Sequence, residues 1–115
     1  VGGYSTALDS LALPVYVDSF PGARMPVTAE VELLNKYGLH QRPAMKVIET
    51  ASRFGSEIYL VKGEQRCNAK SIIDVIMLAA EKGTRLTVEA DGNDAADAVK
   101  AMRELFQNKF YLSEE

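Results

Sequence analysis

Two stretches of this 115-residue chain alternate apolar and polar residues with a period of two. Ala29, Val31 and Leu33 interleave with Thr28, Glu30 and Glu32, and Leu86, Val88 and Ala90 with Arg85, Thr87 and Glu89. A strand with that pattern buries one face and wets the other. A sheet covered on both faces would instead carry near-continuous apolar runs. These strands therefore commit the chain to a sheet with one open face, and its helices must pack on the other.

The remaining periodicities supply the helices. After the turn residues Asn35-Lys36-Tyr37-Gly38, Ala44, Val47, Ile48, Ala51 and Phe54 share one helical face. Lys46, Glu49, Thr50 and Arg53 lie on the other, and Gly55 suits the stop. Glu57 to Val61 reads as a strand, Lys62-Gly63-Glu64 as a turn and Gln65 to Asn68 as a short return strand. Ser71 to Ala79 reads as a short, very apolar helix with Ser71 as N-cap and Asp74 three residues on, a capping-box-like pair. Asp91-Gly92-Asn93-Asp94 turns the chain and caps a last helix, buried along Ala95, Ala98, Val99, Met102, Leu105 and Phe106.

The order is β-α-β-β-α-β-α. A helix between the first two strands makes them parallel, and the fourth can slot between them, antiparallel to both. The expected fold is α+β: an open-faced two-layer sandwich. Its four-stranded antiparallel sheet has the order 1-4-2-3 and carries three helices on one face.

Composition narrows the function classes. Apolar residues make up 47% and charged residues 25%, ordinary for a globular domain. A formal net charge of −3 leaves no basic footprint for nucleic acid. The single cysteine, Cys67, excludes an internal disulfide and fits a reducing compartment. No apolar run approaches the roughly 18 residues of a membrane span, and Val1-Gly2-Gly3-Tyr4 lacks the positive start of a signal peptide. The expectation is a cytoplasmic monomer without membrane insertion. Residues 1–24, with Pro14 and Pro21 and little periodicity, read as an N-terminal extension or linker. Within it Leu11 to Phe20 is apolar enough to pack as an extended segment. Residues 25–112 form the domain and 113–115 an acidic tail.

There is no P-loop, no nucleophile elbow and no metal-ligand cluster, so neither metal nor cofactor is expected. One segment concentrates the chemistry: Gly38-Leu39-His40-Gln41-Arg42-Pro43-Ala44. It sets the only histidine where a turn ends and a helix begins, with Pro43 in the first helical turn. Unpaired N–H groups and the positive helix end would meet a phosphoryl group on the imidazole. Arg42 adds a guanidinium fork matched to phosphate oxygens. Cys67 reads as a small packing residue, and Tyr37 as packing the loop.

The run Gly-Leu-His-Gln-Arg-Pro-Ala-Met (38–45) resembles the active-site signature of HPr, the histidine-containing phosphocarrier of the bacterial phosphoenolpyruvate-dependent phosphotransferase system. Asn68-Ala69-Lys70-Ser71 and the apolar run to Leu78 resemble the family's segment around its regulatory serine. The resemblance covers about Met25 to Phe110. It implies that His40 accepts phosphate through Nδ1 from phosphorylated enzyme I, that Arg42 steadies it, and that an EIIA-type protein receives it. It also gives Ser71 a second reading beside the cap, as the target of an HPr serine kinase. Two residues depart from the pattern: Gln41 stands where Ala or Thr is usual, and Asp74 where Gly is common.

Ile72, Ile73, Val75, Ile76, Met77 and Leu78 wrap most of their helix, so some must be exposed. Ile72 and Ile76 with Met45 are expected to form a docking patch beside His40, and Gln41, which borders the phosphate site, to affect partner preference. Arg42 to Met45, Ile76 to Ala80 and the Leu105-Phe106 ending with Phe110 lean slightly to the nitrogen-related branch over the sugar-uptake branch. The competing readings are a regulatory interaction module of the same fold that carries no phosphate, and a ligand-binding domain whose histidine is only a cap.

Overall fold

The structure, a computed structural model, describes residues 26–113. The expected extension, including Leu11 to Phe20, and the last two residues of the acidic tail lie outside them.

The two alternating stretches become β1 (Val27–Glu32) and β4 (Arg85–Asp91). They pair antiparallel, with Val31 opposite Leu86 and Ala29 opposite Val88. β2 (Glu57–Lys62) pairs with the other edge of β4, setting Leu60 opposite Val88 and Ile58 opposite Ala90. β3 (Gln65–Asn68) closes a hairpin on β2. The sheet order is β1-β4-β2-β3, as the sequence predicts.

The register puts Val31, Ile58, Leu60, Leu86, Val88, Ala90 and Cys67 on the buried face. The opposite face is polar. There the Arg66 guanidinium lies 3.7 Å from the Tyr59 ring centre and 3.3 Å from Glu89 Oε1. An open face laced with such pairs gives the sheet no apolar reason to stack on a second layer.

Three helices cover the buried face: α1 (Gln41–Ala51), α2 (Ile72–Met77) and α3 (Ala95–Gln107), followed by a 3₁₀ turn at Lys109–Tyr111. α3 buries the stripe expected of it, Ala95, Ala98, Val99, Met102, Leu105 and Phe106. Buried Phe110 adds an edge-on contact with Phe106 at 4.9 Å.

Local expectations fail where tertiary bonds take over. α1 ends at Ala51, before Phe54 and Gly55. Arg53 and Phe54 N–H donate to the carbonyls of Thr50 and Ala51, tightening the last turn, and Lys70 Nζ takes the Phe54 carbonyl at 2.8 Å. Thr50, assigned to the wet face, is buried because it falls between Val47 and Ala51 on the core side. Only half of the capping box forms. Ser71 Oγ accepts from Asp74 N–H at 3.4 Å, but Ser71 N–H donates to the Asn68 carbonyl.

Asp94 occupies the N-cap position of α3 without bonding that helix through its side chain. Its carboxylate instead accepts from Gly55 N–H (2.9 Å), Ser56 N–H (3.0 Å) and the Ser56 hydroxyl, tying α3's start to the α1–β2 loop. Gly92 lies beside the same knot, with a Cβ there meeting Ser56 Cα at 2.8 Å. The Ser56 hydroxyl, then the Gly55 and Ser56 N–H groups, lower the Asp94 pKa from its ordinary value of 3.8. A lowered folded-state pKa gives stability that is complete above the ordinary value and fades as pH falls through the folded one. Asp94→Asn is therefore expected to lower the melting temperature at pH 7 and to narrow the gap from wild type at pH 3. A constant gap across that range would show that the latch carries no charge term.

Candidate functional site

The loop before α1 is clamped on both sides. Gly38 takes a left-handed φ of +71°, open to glycine at little steric cost. Its carbonyl accepts from Asn35 Nδ2 at 2.7 Å, and its own N–H reaches the Asn35 carbonyl at 3.4 Å. On the far side, Leu39 N–H donates to the Ala80 carbonyl at 2.9 Å, and the Leu39 side chain is buried. Ala80 follows Ala79, whose φ of +51° stops the α2 segment. Asn35 is buried, and its Oδ1 finds no partner among the described residues.

This clamp delivers His40 to the N-cap of α1 with extended backbone (φ −86°, ψ −165°). The His40 carbonyl accepts the first helical bond, from Ala44 N–H at 2.9 Å, but the imidazole makes no capping bond and the residue is exposed. The ring is thus left unused by the helix it heads. Gln41 and Arg42 have N–H groups with no intrahelical acceptor, and Pro43 has none to satisfy. Pro43 is buried, which anchors the turn, whereas Gln41 and Arg42 are exposed.

His40, Arg42 and Pro43 line an open cleft of about 180 Å³ with Asn35 and Tyr37. Tyr37 is not packed into the loop as expected. It is 63% exposed, and its ring meets the His40 ring edge-on at 6.0 Å. Lys109, Leu112 and Ser113, which follow α3, line the same cleft. Sequence reasoning did not bring these three residues to the cleft. Phe110 was the available signal, since a large aromatic just past a helix must find a buried place and carries its neighbours with it.

The other residues of interest lie on α2 and along α1. Met45 and Ile76 are exposed, on helices that touch. Ile72 is half-buried against the core, so it contributes less open surface than expected. The widest apolar exposure on α2 is instead at Ile73 (66%) and Met77 (69%), while Val75 and Leu78 supply its buried side. Ser71 caps α2 and is partly exposed. Cys67 is buried. Desolvation, opposed by a backbone hydrogen bond at Leu60 and aided by the Asp74 charge, pushes its thiol up to about 11. It is a packing residue and a poor nucleophile at neutral pH. Among the described residues no group of three or more His, Cys, Asp or Glu could hold a metal ion, and no helix is long and apolar enough to cross a membrane.

The described site is thus an exposed histidine at a helix start on an open-faced sandwich, two residues before an exposed arginine. Comparison with known proteins places the chain in a family. A family model described as "PTS HPr component phosphorylation site" matches residues 27–108. The phosphocarrier protein HPr of Neisseria meningitidis serogroup A is 45% identical over 80 residues, covering 70% of this chain and 90% of the relative. A crystal structure of HPr from Thermoanaerobacter tengcongensis superposes with a TM-score of 0.73 at 36% identity, over 76% of this chain and 99% of that one. A second structure, described as an HPr dimer from the same organism, gives 0.60 at 40% identity, over 70% and 92%. The chain belongs to the HPr family, the phosphocarriers of the phosphotransferase system.

Proposed function

We propose that His40 takes a phosphoryl group from phosphorylated enzyme I on Nδ1 and passes it to an EIIA-type protein, in the cytoplasm and as a monomer. The bond from phosphorus to the donor atom of enzyme I breaks as the P–N bond on His40 forms, and the acceptor reverses that exchange. The observation that carries the reading is the exposed His40 ring, free of any capping bond, in one cleft with Arg42. A ring used as a cap would have lost its lone pair to the helix. The α1 N–H groups and the Arg42 guanidinium supply donors for phosphoryl oxygens. Incubation with phosphoenolpyruvate and enzyme I, read by intact mass, tests the reading. A single phosphoryl gain is expected, and an unchanged mass would leave the interaction-module reading in its place.

Within this reading Arg42 is the phosphate clamp. Arg42→Ala should slow transfer from enzyme I about tenfold or more, the scale of a lost charged hydrogen bond. Arg42→Lys should retain much of the rate, since a point charge keeps the attraction and loses the fork. Equal rates for all three proteins would make Arg42 a surface residue.

Ser71, with exposed Ile73, Ile76, Met77 and Met45 nearby in the fold, is the proposed regulatory and docking region. Gln41, next to His40, borders the phosphate site and brings no charge. A serine kinase is the partner that this regulation would require. Ser71→Asp keeps an N-cap and should change stability by about 1 kcal/mol or less. It should raise the apparent KM for enzyme I, because the added charge must be desolvated on docking. A melting temperature many degrees lower, with unaltered transfer kinetics, would make Ser71 a structural cap only.

A further inference from the structure

We infer that Tyr37 is a positioning residue for His40, its ring holding the imidazole at an orientation suited to in-line phosphoryl transfer. The inference rests on His40 as the phosphorylated residue but not on enzyme I as the donor. In-line displacement needs the imidazole nitrogen aimed along the bond that breaks, and a group held that way reacts faster than one that must find the angle. His40 joins α1 through its backbone carbonyl, while its imidazole makes no capping bond. The helix therefore fixes where the ring is attached and not how it is turned. Tyr37 supplies that second constraint. The two rings meet with centres 6.0 Å apart and planes at 80°, an edge-to-face pair.

Such a pair orients the imidazole only if the tyrosine is itself held. Asn35 to Gly38 closes as a turn, with Gly38 N–H reaching the Asn35 carbonyl at 3.4 Å and Asn35 Nδ2 donating to the Gly38 carbonyl at 2.7 Å. Asn35 is buried, and Gly38 leaves no room for a Cβ beside the Ala80 carbonyl, so both ends of the turn are anchored in the domain. Tyr37 is the third residue of that turn, and the Lys36 ammonium lies 5.2 Å from its ring centre. Buried Leu39, with its N–H on the Ala80 carbonyl, carries the anchoring on to His40. One clamp thus sets the backbone of both rings. At 63% exposure the Tyr37 side chain adds little to the core. Its loss should cost orientation at His40 and little stability.

The test compares the full chain with its Tyr37→Phe, Tyr37→Leu and Tyr37→Ala variants. Phosphoramidate, a small phosphoryl donor, labels without enzyme I. Its P–N bond breaks, the phosphoryl group passes to the His40 nitrogen, and ammonia leaves with the electron pair of that bond. Uptake is followed at constant pH by intact mass. Tyr37→Phe should label close to the wild-type rate, and Tyr37→Leu and Tyr37→Ala about three- to tenfold more slowly, the scale of a lost aromatic pair. With enzyme I the same two variants should show a lower kcat at an unchanged KM for this chain. All four proteins should melt close together. The His40 ring proton resonances should move when the aromatic ring is lost and stay in place in Tyr37→Phe. Equal labelling rates in all four proteins, or slow labelling that merely follows a lower melting temperature, would overturn the inference. So would a raised KM at unchanged kcat, which makes Tyr37 a partner contact, or slow labelling of Tyr37→Phe, which assigns the effect to the hydroxyl. Labelling by phosphoramidate without transfer from enzyme I would sink the relay reading and leave Tyr37 standing. Failure of both donors to label wild type would end the reading of His40 and this inference with it.

Discussion

Gly38→Ala is expected to be among the most damaging single-methyl additions to this domain, lowering its stability by about 3 kcal/mol or more. Two effects add. The left-handed φ of +71° disfavours any side chain, and a Cβ would overlap the Ala80 carbonyl oxygen and approach Glu81 Cα at 2.8 Å. Both obstacles are backbone, so no side-chain rotation relieves them. The Ala80 carbonyl is also the acceptor for Leu39 N–H. Any shift that makes room for the methyl therefore weakens the clamp that positions His40. Gly63 provides the control, since it has a φ of +58° but no atom within 4 Å of the place a Cβ would take. Gly63→Ala should show only the conformational part, about 1–2 kcal/mol. Thermal or urea unfolding of both variants checks this, and equal losses would mean that the contact with Ala80 and Glu81 is readily relieved.

The second large effect is functional. His40→Ala should abolish phosphoryl uptake while changing stability by about 1 kcal/mol or less. The imidazole makes no capping bond, so its removal leaves no helix N–H newly unpaired. Its ring contact is an edge-on approach to Tyr37, itself largely exposed. The backbone carbonyl that begins α1 is unaffected by the substitution. No second imidazole exists in the chain to take over the chemistry. A variant that unfolds would make His40 structural. One that still gains a phosphoryl group would place the acceptor elsewhere.

The strands were legible because an open-faced sheet writes its wet side into the sequence, as Thr87 and Glu89 do between buried Leu86, Val88 and Ala90. Helix ends were less legible because distant groups decide them. Lys70 takes the Phe54 carbonyl, and Asp94 leaves its own helix to bind Gly55 and Ser56. The part of the cleft formed by His40, Arg42 and Pro43 could be read because they lie within four consecutive residues and their chemistry follows from one helix start. Lys109, Leu112 and Ser113 could not, since nothing local marks a left-handed turn at three non-glycine residues. That turn follows from burying Phe110 against Phe106, a tertiary fact. Tyr37 was misplaced for a related reason: an aromatic in a loop packs inward only if the core has room, and here Leu39 takes the buried position.

The most direct test of the central claim is intact mass of the full chain after incubation with phosphoenolpyruvate and a catalytic amount of enzyme I. One phosphoryl group should be gained, lost again in mild acid and retained in alkali, as expected for a phosphoramidate bond on His40. No mass gain, or a gain that survives acid and persists in His40→Ala, would contradict the account.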